Sequence, residues 1–149
     1  MSNGRAPKSS IVEAACRNDF LSFSYWCFQF LEPGSPLNMN WHHEAIAYYL
    51  ELVIRGVIKR LIIAAPPRTL KSLMASVAFP AYMLGRDPTK RVIGISYGSD
   101  LQINFSNDCR TVVDSPRYHG LFPRMQLSKN TETEFHTTQG GYRYARSAE

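Results

Sequence analysis

The chain has 149 residues, 44% of them apolar and 19% charged, which fits one globular domain with its own core and excludes a disordered polymer. Its 17 Lys and Arg against 12 Asp and Glu leave a formal charge of +5, compatible with a phosphate-bearing partner and shared by many proteins without one. No apolar run approaches the roughly 20 residues of a membrane helix, and the basic start MSNGRAPKSS does not read as a secretory signal, so a soluble, cytoplasmic protein without membrane contact is expected.

In chain order, residues 1–18 are expected as a flexible N-terminal tail and 19–149 as the folded domain. Asp19 is a candidate N-cap for a helix whose Phe20, Phe23, Cys27, Phe28 and Leu31 recur at three- and four-residue spacings and end at Pro33-Gly34. Trp41-His42-His43 open a second helix with Ile46, Tyr49, Leu50, Val53, Ile54 and Val57 as its apolar stripe. The run LIIAA at 61–65 lacks alternation and suits a strand covered on both faces in a parallel sheet. A helix from Leu73 to Leu84 carries Pro80, Gly85 to Pro88 turn, and RVIGISYG at 91–98 reads as the next strand. A helix from Ser99 presents Leu101, Phe105, Cys109 and Val112 on one side until Ser115-Pro116. Residues 132–138 alternate like a strand, and Gln139-Gly140-Gly141 turn into YRYA as a hairpin. The order strand, helix, strand, helix predicts an α/β fold, a parallel sheet flanked by helices with a right-handed crossover.

Residues 65–72, APPRTLKS, lie between the predicted strand and helix, the context of a phosphate-binding loop, GxxxxGK[ST]. Lys71-Ser72 stand where that pattern wants them, while Ala65 and Leu70 replace its glycines. In such a loop main-chain N–H groups face the phosphates, the lysine reaches the β- and γ-phosphates, and the hydroxyl serves Mg²⁺. The local letters alone also fit a strand-to-helix turn with a chance Lys-Ser pair.

Motifs spread along the chain bear on that choice. They include the aromatic helix ending in Pro33, Trp41-His42, and Lys59 to Ile63 running into Pro66-Pro67-Arg68 and Lys71-Ser72. Gly85-Arg86, Pro88, Ser96-Tyr97, Phe105-Ser106, Arg110, Tyr118, Leu121-Phe122-Pro123, Thr138 and Gly140-Gly141 complete the series. Over roughly residues 15–146 the chain resembles the N-terminal part of the ATPase domain of terminase large subunits, the DNA-packaging motors of tailed phages and prophages. The resemblance implies a partial P-loop NTPase fold of the RecA/ASCE-like kind and a truncated ATPase domain without the family's nuclease domain. It implies ATP and Mg²⁺ as cofactors and a bacterial host cytosol. For the full-length parent it implies double-stranded DNA, a small terminase subunit and a portal protein as partners.

Residue by residue, the resemblance makes Pro66, Pro67, Arg68, Thr69, Leu70, Lys71 and Ser72 the phosphate-binding segment. Lys71 and Arg68 take catalytic roles, Arg68 as a cis arginine finger, and Ser72 supports Mg²⁺ through its hydroxyl. Trp41, His42 and His43 lie where such motors often bind adenine, and Trp41 and His42 are the candidate contacts. Family loops commonly carry PPR before the lysine but keep a glycine next to it, so Leu70 is a departure. A salt bridge or solvation remains open for Arg68, and core packing for Trp41. His42 and His43 are adjacent and point about 100° apart on a helix, a poor pair for a metal. Cys16, Cys27 and Cys109 form no CxxC pair and read as reduced core thiols.

An ATPase of this class also needs an apolar strand ending in paired carboxylates, one for Mg²⁺ and one to activate water. No such run occurs before Glu149, so the chain is expected to bind ATP without hydrolysing it alone. A partial sheet with open edges is expected to favour self-association. The alternative is a degenerate, non-catalytic module that binds DNA or oligomerises. In it Arg55, Lys59, Arg60, Arg86, Lys90 and Arg91 would meet phosphates or simply form a solvated face. A helicase-like ATPase or a kinase fits the letters less well.

Overall fold

The structure, a computed structural model, describes residues 8–148. Residues 8–18 were expected within a flexible tail but form helix α1, Lys8–Asn18. Its Cys16 is buried, and Arg17 Nε donates to Leu121 O at 2.9 Å, so the helix is bound into the body of the molecule. Residues 1–7 of the expected tail lie outside the described residues.

Helix α2, Phe20–Leu31, starts at the expected cap: Asp19 Oδ2 accepts from Ser22 N–H at 2.8 Å and from the Ser22 hydroxyl at 2.6 Å. Asp19→Ala should cost about 1 kcal/mol in a urea melt, the usual worth of such a cap. The aromatic face of α2 is core, as expected. Phe20 and Phe23 are buried against Tyr82, Tyr118 and Phe122, with the Phe23 ring 5.3 Å from Tyr82 and 5.8 Å from Phe122. Tyr118 donates its hydroxyl to Ala81 O at 2.8 Å, which lets a polar tip sit in this apolar centre. All three cysteines are buried; that environment pushes the Cys109 thiol up to about 11.

Helix α3, Trp41–Ile54, is capped by Asn40 and buries Ile46, Ala47 and Leu50, whereas Tyr49 and Val57 of the expected stripe are exposed. The segment 61–65 departs furthest from expectation. Among the described residues it pairs with no strand, and Ile62 is 94% exposed, so it is not a strand covered on both faces. A strand is defined by a neighbour that takes its main-chain bonds, and no strand takes those of this segment among the described residues. Leu61 and Ile63 still pack against the core edge.

Helix runs without a break from Lys71 to Arg86, with a π-helical turn at Leu73–Ala78 followed by α4, Phe79–Arg86. Pro80 explains the change of register. It has no N–H for Ser76 O, and Phe79 N–H donates back to Met74 O. The Ser76 carbonyl in this turn accepts from Arg143 Nη2 at 3.3 Å.

The sheet is mixed rather than parallel throughout. Its order is β1-β4-β3-β2, with β1 Arg91–Ser96, β2 Leu127–Asn130, β3 Glu134–Thr137 and β4 Tyr142–Ser147. Only β1 and β4 run parallel; β3 pairs antiparallel with both β4 and β2. The hairpin forms where Gln139-Gly140-Gly141 place it, with Gly140 at φ 86° as such a turn requires. Helix α5, Ser99–Val113, packs on β1 and β4 and buries Cys109 and Val112, as its spacing implied, while Leu101 is exposed. Gly94 permits this close approach, since a Cβ there would lie 2.7 Å from Gln102 Nε2. Ser115 caps α6, Pro116–Leu121, through Tyr118 N–H. The opposite sheet face carries exposed Ile93 and Ile95 beside half-buried Tyr142 and Tyr144. The architecture is therefore α/β, a four-stranded mixed sheet with helices against it. No helix among the described residues is long and apolar enough to cross a membrane.

Candidate phosphate-binding loop

Residues 65–72 fold as a compact loop held by its own groups. Thr69 Oγ1 donates to Pro66 O at 2.8 Å, and the Lys71 ammonium donates to Ala65 O. Met74 N–H donates to Leu70 O at 2.9 Å, so the helical run grows directly from the loop. Arg68 and Leu70 both adopt left-handed backbone, φ 61° and 59°, although neither is glycine. Such a conformation costs an L residue about 1–2 kcal/mol and is kept only where the surroundings determine it. Leu70 thus holds, with a side chain attached, the kind of backbone that the glycine of the phosphate-loop pattern adopts freely.

Two side chains of the loop are unengaged. Arg68 is exposed and makes no ion pair or hydrogen bond among the described residues, so the salt-bridge alternative for it is not realised. Ser72 is exposed and caps nothing. No carboxylate pairs with Lys71 among the described residues, leaving that cation on a neutral carbonyl.

The first turn of α3 lies beside this loop. His43 is buried, its Nδ1 is 3.2 Å from the Tyr25 hydroxyl, and its ring feels the Thr69 main chain. Trp41 is 76% exposed, which decides against the core role left open for it. His42 is half-buried, its ring 4.2 Å from that of His43, and its buried Nε2 has no partner among the described residues. The loop residues and His43 are brought together; Trp41 and His42 adjoin them only through α3.

The resemblance groups His43 with Trp41 and His42 in the adenine region, but nothing local in the sequence marks its burial or its tie to the loop. Burial, and secondarily the neighbouring His42, hold the His43 imidazolium below its usual range, while the Thr69 main chain pulls the other way. A histidine depressed in the fold adds stability that is present above its unfolded value near 6.5 and is lost as pH falls through the lower folded value. Thermal melts should therefore weaken on acidification below about pH 6.5. His43→Gln should flatten that slope; an unchanged slope would remove His43 as its source.

Comparison of the chain with protein families, with curated proteins and with solved structures finds no match.

Proposed function

We propose that residues 65–72 bind the phosphates of ATP with Mg²⁺, and that the chain is the ATP-binding portion of a terminase large subunit. In this reading the fold is part of a P-loop NTPase, with 61–65 as the segment leading into the loop. Lys71 leaves Ala65 O for the β- and γ-phosphates, Ser72 offers its hydroxyl to Mg²⁺, and Arg68 reaches the transferring phosphate. Trp41, exposed beside His42, offers a ring for adenine. In the full-length parent, hydrolysis would drive double-stranded DNA into a procapsid together with a small terminase subunit and a portal protein, in a bacterial host cytosol.

The observation that carries the reading is the left-handed backbone at Leu70, immediately before the lysine and at the head of a helical run. Adjoining N–H groups in such a turn form an anion-accepting concavity, and the helix start adds positive potential. The main-chain signals of Thr69 to Ser72, followed by NMR during titration with ATP and Mg²⁺, should shift saturably. Absence of saturable change at millimolar ATP would sink the reading for this chain.

A second reading, the non-catalytic module that oligomerises, is favoured by a separate observation: among the described residues the outer side of β1 is unpaired.

A further inference from the structure

Strand β1 ends the sheet, and no strand pairs with its outer side among the described residues. On its inner side Lys90 O accepts from Tyr142 N–H and Ser96 O from Ala148 N–H. Main-chain groups alternate sides along a strand, so even-numbered positions turn toward β4. Those of Arg91, Ile93 and Ile95, with Tyr97 just beyond, turn outward. The same residues carry bare side chains: Ile93 is 56% exposed, Ile95 68% and Tyr97 83%.

Natural edge strands are usually protected by lysine, proline, a bulge or a covering loop. β1 has continuous register with β4, no proline, and a single charge, Arg91, at its very start. Within the strand itself, the edge carries none of these guards.

We propose that a second copy of this chain docks here, β1 pairing antiparallel with its counterpart about a two-fold axis through Gly94. The strand is self-complementary in that register. Ile93 lies opposite Ile95 of the second copy, and Arg91 opposite its Tyr97. All the outward main-chain groups from 91 to 97 are used, whereas an axis at 93 or 95 shortens the ladder. No like charges meet, and Arg91 comes against an aromatic ring, a contact of the kind it already makes with Tyr142 at 5.6 Å. The interface is isologous, as a two-fold demands, and joins the two sheets into one. The inference is independent of the phosphate-loop reading and uses none of its residues.

Light scattering coupled to size exclusion tests it. The chain should form a concentration-dependent dimer on the order of 100 µM, the range of small-area interfaces. Ile93→Lys with Ile95→Lys puts lysines directly opposite one another and should weaken the dimer at least about tenfold. Both positions are exposed, so the variant should melt like the parent chain. Mixing it with the Ile93→Glu, Ile95→Glu variant should restore a mixed dimer, since 93 and 95 face each other in this register. A chain monomeric at every concentration would overturn the proposal. So would a dimer indifferent to the lysines, or a failure of the lysine and glutamate variants to combine.

Discussion

Arg143→Ala should destabilise the protein by about 3–5 kcal/mol, measured by urea unfolding. Arg143 is 1% exposed and forms no ion pair among the described residues. Its guanidinium donates to Ser106 Oγ at 3.0 Å and to Ser76 O at 3.3 Å, while its Nε has no partner. Ser106 in turn donates to Glu132 O at 2.6 Å, so the cluster ties β4 to α5 and to the β2–β3 connection. Truncation removes the packing of a long buried side chain and also takes a donor from the Ser76 carbonyl, to which Pro80 can offer no N–H. Arg143→Met separates the two effects, because it keeps most of the volume and removes a buried charge that has no counter-ion. It should cost less than half as much as the alanine. In a Pro80→Ala background the methionine should cost about 1 kcal/mol less again, since residue 80 then has an N–H for Ser76 O. Equal costs in both backgrounds would show that the Ser76 contact carries no weight.

Arg143 also shows where legibility in the sequence ends. Nothing in YRYA distinguishes a solvated hairpin arginine from a buried one that donates to a helix carbonyl far upstream. The parts that were legible are those whose cause is local. Asp19 ahead of an aromatic run announces α2, and Gly140-Gly141 between alternating segments announces the hairpin. Burial of Cys109 and Val112 follows from their spacing on α5. The segment 61–65 has strong strand letters, but a strand is a property of two segments, and no second segment pairs with it among the described residues. α1 was overlooked because its anchors, Cys16 against α2 and Arg17 on the end of α6, are contacts across the chain. β2 was overlooked because LSKN, with one half-buried position, carries almost no alternation. In the candidate site the loop was readable as a motif. Its tie to His43 was not, since that comes from how α3 docks.

Lys71→Ala should weaken binding of ATP with Mg²⁺ by roughly ten- to hundredfold, the worth of a charge-assisted contact to phosphate of about 1.5–3 kcal/mol. The fold should survive, because Lys71 donates only to Ala65 O within its own loop. Leu70→Gly should act in the opposite direction. At φ 59° the leucine backbone is strained, and glycine removes both the strain and the Cβ from the path of an approaching phosphate. Leu70 also packs against the core edge, so relief of strain and loss of burial should leave stability within about 1 kcal/mol of the parent. Affinity should rise several-fold while stability barely moves, a separation that a purely structural turn would not produce. Calorimetric titration of both variants decides between the two readings of APPRTLKS. If Lys71→Ala binds as the parent does, and Leu70→Gly changes only stability, the loop is a strand-to-helix turn and the nucleotide reading fails. If the two variants move affinity in opposite directions, the left-handed backbone at Leu70 is part of a loop that closes over phosphate.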